Sequence, residues 1–344
     1  VFIVSLTVGS TFTGVGGADL GLERAGFSVA WQCELDAWKR SVLAAHWPNV
    51  PIHDDITTMH DPAPVDLLIG GFPCQDLSVA GKRKGFSGER SVLAFEFLRL
   101  AESLRPRWLL LENVPGLLSS NRGRDLARLL DEVGTIGYGW AYRILDARYF
   151  GVPQRRRRVF ICARRADALV DSGAASRLAL RALWEGGSGD PTPGWPPRQD
   201  AAADAGGSSE GGSALGDGIA GTLTRRYAKG INTTIDDRAI AFRKSKRAQT
   251  DHDDETWVEA DETNTLNRFD TGDTRATQAI IDSMMVRRLT PVECERLMGW
   301  PDNWTAPDGV KAPDSKRYAA CGDGIVSWVA YWIGQRIRMI EEGR

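Results

Sequence analysis

Cys74 stands in the stretch Gly70-Gly71-Phe72-Pro73-Cys74-Gln75-Asp76-Leu77-Ser78, directly after the apolar run Val65-Asp66-Leu67-Leu68-Ile69. That run reads as a buried strand opening into a loop, which puts a thiol at the strand's exit, where it can attack a bound group. Taken alone, such a cysteine reads equally well as packing, because free cysteines are among the most buried residue types. Two further stretches change the balance. Leu109-Leu110-Leu111 runs into Glu112-Asn113-Val114, a second strand delivering an acid, and Gln154-Arg155-Arg156-Arg157-Arg158 sets a cluster of guanidinium groups before a third. A nucleophile with an acid and fixed positive charge beside it is the equipment of covalent catalysis.

The elements that must position these groups alternate. Val1 to Val8 reads as a continuous apolar strand of the kind buried on both faces of a parallel sheet. A Gly-rich turn, a short helix over Ala18 to Ala25 closed by Gly26, a strand from Phe27 to Cys33 ending at Glu34, and a helix from Leu35 to Trp47 follow. The pattern continues with Val65 to Ile69 as strand, Ser91 to Leu104 as helix, Trp108 to Leu111 as strand and a helix around Asp125 to Val133. Repeated alternation of this kind predicts a doubly wound α/β sheet with its ligands at the carboxyl ends of the strands.

Composition shifts sharply over residues 186–218, where Gly, Ser, Pro, Ala and Asp dominate, so that segment reads as a linker or disordered insertion. Beyond it, Gly221-Thr222-Leu223-Thr224 and Asn264-Thr265-Leu266-Asn267 form a weak internal echo, consistent with two small β-rich units. Thr290-Pro291-Val292-Glu293 is a capping-box pattern with Gly299 as a natural stop. From Ile325 on, apolar residues recur at the spacing of one helix face, which needs no role beyond packing. The expected division is therefore 1–170 as a catalytic and cofactor domain, 171–310 as a smaller β-rich recognition domain, and 311–344 returning to the first.

The 344 residues, 42% of them hydrophobic, set a prior of about two globular domains. No apolar run approaches the roughly 20 residues of a membrane span, and no secretory signal is apparent, so a cytoplasmic protein is expected. Five cysteines without a Cys-x-x-Cys pair argue against a disulfide framework and a structural zinc site. Net charge is only −2, yet residues 148–165 hold seven Arg and no acid, and Gly81-Lys82-Arg83-Lys84-Gly85 adds a basic loop just past Cys74. Phosphate neutralisation is local to a cleft and does not require a basic protein.

Phe-Pro-Cys-Gln, Glu-Asn-Val and Gln-x-Arg-x-Arg, in that order, resemble the DNA (cytosine-5)-methyltransferases. The resemblance runs from Phe12-Thr13-Gly14-Val15-Gly16-Gly17 to Arg288-Leu289-Thr290-Pro291-Val292-Glu293 and Gly322-Asp323-Gly324, leaving only the middle segment outside it. It implies a Rossmann-like S-adenosylmethionine-dependent fold and methyl transfer to C5 of a cytosine in duplex DNA. It also implies Cys74, Glu112, Arg156 and Arg158 as catalytic residues. The glycine motif with Phe12, Gly14, Gly16 and Gly17 would accept S-adenosylmethionine, Glu34 would receive the ribose hydroxyls, and Asp55 and Ile56 would meet adenine. Gly71, Pro73, Leu93, Asp323 and Gly324 complete the expected donor wall. The same resemblance places Gln75, Ser78, Lys82, Arg83 and Arg155 against DNA, with Thr222 and Leu223 in the recognition region. Arg155 and Arg157 alternate outward from Arg156 and Arg158.

The implied chemistry needs more than a reactive thiol. Lowering a cysteine pKa from about 8.5 to about 7 raises the thiolate fraction about 15-fold. The accompanying loss of nucleophilicity takes back roughly 5-fold. Stabilising charge at the base's N3, with Glu112 as the acid or donor, is the larger lever. The base must leave the duplex, at a few kcal/mol, and the basic loop Gln75 to Ser91 is expected to close during that step. Two departures from the family pattern stand out: Gly322-Asp323 replaces Gly-Asn, and Ser10-Thr11 replaces the acidic residue common before the Phe. A tRNA cytosine-5 methyltransferase and an impaired DNA-binding relative are the rival readings, and the long segment between Arg165 and Met284 counts against the first. The expected state is a monomer, with a separately acting restriction endonuclease as a partner in function.

Overall fold

The computed structural model describes residues 6–73, 92–167, 170–184, 240–244, 257–259, 278–282, 285–287 and 289–343. Its main sheet has seven strands in the order β3-β2-β1-β4-β5-β7-β6. These are β1 (Leu6–Thr11), β2 (Phe27–Cys33), β3 (Ile52–His53), β4 (Leu67–Gly70), β5 (Trp108–Asn113), β6 (Tyr138–Asp146) and β7 (Arg157–Arg165). The first five run parallel. β7 enters antiparallel to β5, and β6 is antiparallel to β7.

Period-two alternation sorts the central strands into two cores. Leu67, Ile69, Trp108 and Leu110 face one side, with α1 (Gly17–Arg24), α2 (Ala37–His46), α5 (Ser172–Trp184) and the last helix contributing Leu22, Leu43, Leu183 and Ile333. Leu68, Leu109 and Leu111 face the other, against α3 (Val92–Leu104) and α4 (Arg124–Thr135) through Phe97, Leu100, Leu129 and Val133. Because both faces are covered, the sequence of β4 and β5 is an apolar run rather than an alternation. The doubly wound α/β sheet expected from the sequence is thus present, and its antiparallel pair β6–β7 carries the arginine-rich segment.

The C-terminal part comprises α6 (Pro291–Leu297), α7 (Asp314–Asp323) and α8 (Ser327–Glu341). Thr290 caps α6 in the anticipated box with Glu293, and Gly299 takes φ 70° just beyond it. α8 returns to the sheet: Gly21 of α1 admits it so closely that a Cβ there would meet Ala330 at 2.8 Å. At its far end Glu341 receives Arg107 Nη1 at 2.8 Å and Trp108 Nε1 at 2.9 Å. Leu289, Leu297, Met298, Trp300 and Trp304 share a core with β1 and α1, as do Ala182 and Leu183. Boundaries drawn at 170 and 310 therefore divide residues that pack together.

A second sheet, in the order β11-β10-β8-β9, contains β8 (Ile240–Lys244), β9 (Trp257–Glu259), β10 (Gln278–Asp282) and β11 (Met285–Arg287), all antiparallel. The Thr222-Leu223 and Thr265-Leu266 echo lies outside the described residues. No helix among the described residues is long and apolar enough to cross a membrane.

Candidate active site

The carboxyl ends of β1, β2, β4 and β5 converge on one edge, and each expected motif ends there. β1 stops at Thr11, and Phe12 turns the chain with φ 51°. A positive φ is uncommon for a bulky residue and is sustained only where its surroundings over-determine it. Here Phe12 packs against the core, while Thr13 Oγ1 donates to Ser10 O or Cys33 O, at 3.0 and 3.1 Å. Gly16, φ 80°, is the N-cap of α1. Trp47 lies where its Cβ would stand, and a Cβ on Gly17 would sit 2.7 Å from Trp300 Nε1. The glycines therefore do two things: they make the turn, and they let an aromatic wall close behind it.

Glu34, just past β2, is buried at 9% exposure. Its Oε2 accepts from Gly14 N at 2.8 Å and its Oε1 from Asp36 N at 2.9 Å. Each carboxylate oxygen has a second lone-pair direction, so the group is held in place with acceptor capacity left for a diol. Asp55 Oδ1 accepts from the backbone and hydroxyl of Thr57, both at 2.8 Å, as an Asx turn. Ile56 is buried in the core. Leu93 is half-buried against the same core, and Pro73 is exposed.

At the end of β5, Glu112 is 8% exposed, and its Oε1 meets Arg158 Nε at 2.9 Å. Burial lifts its carboxyl above the usual range, while Arg158 first and Arg156 second pull it back. The acid is thus biased toward keeping its proton and tethered by a cation. A Cβ on Gly71 would come within 3.0 Å of Glu112 Oε2, so this glycine brings the Cys74 loop's first residues directly beside the acid. Asn113 Nδ2 donates to Phe72 O at 3.1 Å, tying the two strand ends together. Cys74, Gln75, Ser78, Lys82, Arg83, Thr222 and Leu223 lie outside the described residues.

Arg156 and Arg158 separate in role. Arg158 reaches the acid, whereas Arg156, 2% exposed, uses Nη2 to reach Gly322 O at 2.9 Å and Gly324 O at 2.7 Å. These bonds tie it to the junction of α7 and α8. Arg155 and Arg157 are exposed, matching the expected alternation. Gln154 is fully buried and donates from Nε2 to Leu297 O at 2.9 Å, anchoring the arginine segment to α6. Asp323 is exposed and pairs with Lys39 Nζ of α2 at 3.4 Å.

Sequence reasoning did not single out Trp47, Trp300, Trp304 or Lys39, and it named Asn113 and Gln154 within their motifs without a role. Trp304 Nε1 donates to Val15 O at 2.8 Å, inside the glycine motif, and its ring stacks on His46 at 3.6 Å between centroids. Twelve tryptophans in this chain were a signal of such a wall, but not of which residues build it. Cys33, Cys162, Cys294 and Cys321 are buried and unbridged. Burial pushes the Cys33 thiol up to about 12 and raises Cys162 and Cys321 as well.

A seven-stranded sheet of this order, with a glycine turn after its first strand, is the Rossmann-like fold of S-adenosylmethionine-dependent methyltransferases. The structure resembles that of the S. pombe Dnmt2 methyltransferase with a TM-score of 0.61 and 16% identity, over 98% of this chain and 100% of that one, a likeness of fold. The chain belongs to the C-5 cytosine-specific DNA methylase family, whose model matches residues 6–339. Over 162 residues it is 44% identical to the Type II methyltransferase M2.BsuMI of Bacillus subtilis, covering 46% of this chain and 42% of that protein. Over 175 residues it is 37% identical to the Type II methyltransferase M.AquIA of Picosynechococcus, covering 45% of this chain and 71% of that protein. The match thus spans about two fifths of the first relative's length.

Proposed function

We propose that this protein transfers a methyl group from S-adenosylmethionine to C5 of a cytosine flipped out of a specific duplex DNA sequence, through a transient Cys74–C6 bond. The observation that carries the reading is the buried Glu112, held by Arg158 and flanked by Gly71 at the entrance to the Cys74 loop. A carboxyl that favours its proton is suited to donate toward N3 as the thiolate adds at C6. Arg158 steadies that carboxyl and counters the negative charge that grows on the ring. The other four cysteines support Cys74 as nucleophile, since all are buried.

The residues present fit the donor. Glu34 is held with acceptor capacity for a diol, and Gly14 stands open, with nothing within 4 Å of the place its Cβ would take. When bound, the donor supplies an electrophilic methyl group on a sulfonium. Arg156 holds the Gly322–Gly324 turn on which the donor wall depends. Arg155, Lys82, Arg83, Gln75 and Ser78 would meet DNA, with sequence reading assigned to the region around Thr222 and Leu223. We further read the protein as a cytoplasmic monomer acting beside a separate restriction endonuclease, in line with relatives named Type II methyltransferases.

Incubation with labelled donor and either duplex DNA or tRNA, followed by bisulfite mapping, tests the reading. Label in DNA at discrete 5-methylcytosines supports it. Label confined to tRNA, or undiminished labelling by Cys74→Ser, overturns it. Sedimentation as a stable dimer would overturn the monomer assignment.

A further inference from the structure

Beneath the glycine turn lies a buried acid for which the proposed reaction has no use. Asp19, in the first turn of α1, is 0% exposed. Its Oδ2 accepts from Ser10 Oγ of β1 at 3.2 Å. Gln32 of β2, also 0% exposed, lies against it and acts on its carboxyl. Yet Asp19 Oδ1 and both polar atoms of the Gln32 amide have no hydrogen-bond partner among the described residues. Three orphaned polar atoms around one carboxyl are costly, because each unmet buried group carries its full desolvation penalty. Clusters of this kind persist where they serve something.

The three residues sit on the elements that form the candidate donor site. Ser10 precedes the strained Phe12 by two positions, Asp19 follows Gly17 by two, and Gln32 precedes Glu34 by two. Gln32 N also donates to Pro51 O at 2.9 Å, and Glu34 N to His53 O at 3.0 Å, so this stretch of β2 is fixed on its other edge. We propose that Asp19 is a positioning residue for the donor site, a buried carboxyl that braces the glycine turn, through Ser10, against the strand that delivers Glu34, through Gln32. It supplies from α1 an acid in place of the one Ser10 lacks. The inference rests on the donor-binding reading of that turn.

The brace depends on a proton. On this proposal the neutral acid's Oδ1–H would donate to Gln32 Oε1 while Oδ2 accepts from Ser10, an arrangement that would give both carboxyl oxygens a partner. Loss of the proton leaves a buried anion that no cation faces among the described residues. β1 presents a hydroxyl and β2 an amide, while on α1 itself Asp19's own backbone N–H favours the anion and Glu23 repels it. Arg24 is directed away, onto Gly299 O and Ser327 Oγ. Burial accordingly raises the Asp19 carboxyl to about 7, against the smaller effects of Ser10, its own backbone N–H and Gln32. A folded-state value above the unfolded one means stability that is complete below the unfolded value of about 4 and lost as pH rises through about 7.

Calorimetric titration of the full chain with S-adenosylmethionine between about pH 6 and pH 8.5, in wild type and Asp19→Asn, reads the brace directly. Asparagine copies the neutral acid, since its Nδ2 can donate to Gln32 Oε1. The wild-type Kd should rise about threefold to tenfold across that range, as expected when an ionising group is coupled to binding, and the Asp19→Asn Kd should stay level. Equal pH dependence in the two proteins overturns the proposal. Melting temperatures over about pH 4 to pH 8 provide a reading without donor. The wild type should lose stability with rising pH relative to Asp19→Asn, and parallel curves overturn the brace even if the donor assignment stands. Failure of both proteins to bind donor at every pH, with melting curves that diverge as stated, would instead count against the donor-site reading. Gln32→Met, similar in size without the amide, should weaken donor binding at low pH, and an unchanged Kd there contradicts the bridge.

Discussion

Two buried carboxyls lie near the strand-end edge, Asp19 in the first turn of α1 and Glu112 at the end of β5, and their surroundings differ in counter-charge. Glu112 has a guanidinium at 2.9 Å; Asp19 has a hydroxyl at 3.2 Å and, among the described residues, no cation acting on it. Burial raises both. At Glu112 the two arginines oppose it, so the acid is poised and can exchange its proton during turnover. At Asp19 nothing of that strength opposes it, so the carboxyl holds its proton up to about pH 7 and serves architecture. The comparison teaches that burial alone makes a brace, and that burial with a counter-charge makes a candidate catalyst.

The largest break in this comparison is Arg158→Ala. It converts Glu112 into the Asp19 situation by leaving a buried acid unpaired, which should destabilise the fold by about 3 kcal/mol or more. Turnover should collapse as well, checked by thermal melts and single-turnover methyl transfer. The sign for Glu112 follows from its raised value: the stabilising protonated form is lost as pH rises through its folded-state pKa. In the wild type, methyl transfer should therefore decline on the alkaline side, and Arg158→Ala should move that limb to higher pH. A limb that stays in place contradicts the pairing.

Next in size is Arg156→Ala. It removes two bonds from a charged donor to backbone carbonyls, each of a type that contributes about 1.5 to 3 kcal/mol. Since Arg156 holds the Gly322–Gly324 turn, the donor KM should rise more than kcat falls. The opposite split would place Arg156 on the reacting base.

How much of this was legible in the sequence depends on the range of the interactions. The strand Phe27 to Cys33 and the capping box at Thr290 appeared as read, because local pattern and local chemistry agree there. The exits of β4 and β5 were legible because buried parallel strands are apolar runs that end abruptly in chemistry. The roles of Arg156 and Gln154 were not legible, since their partners lie more than 140 positions away. For the same reason Trp300 and Trp304 escaped notice as the wall behind Gly17 and Val15. Asp55 was visible as an acid, yet its Oδ1 is engaged in an Asx turn with Thr57.

Smaller effects sharpen the picture away from the buried acids. Thr290→Ala removes the cap of α6 and should cost about 1 kcal/mol, seen as a lower melting midpoint with methyl transfer unchanged per folded molecule. Lys39→Met should change stability by less than about 0.5 kcal/mol, because the Lys39–Asp323 pair is partly exposed and screened by solvent. A larger loss in a urea melt would mean that Asp323 depends on Lys39 far more than a surface pair does.

The central claim is a temporary bond between one sulfur and an everted pyrimidine. The direct measurement uses a duplex carrying 5-fluorocytosine at the target site, with S-adenosylmethionine present, resolved by denaturing electrophoresis. The account predicts a protein–DNA adduct that survives denaturation and is absent from Cys74→Ser. Clean separation of wild-type protein and DNA, at a site the enzyme otherwise methylates, would contradict it.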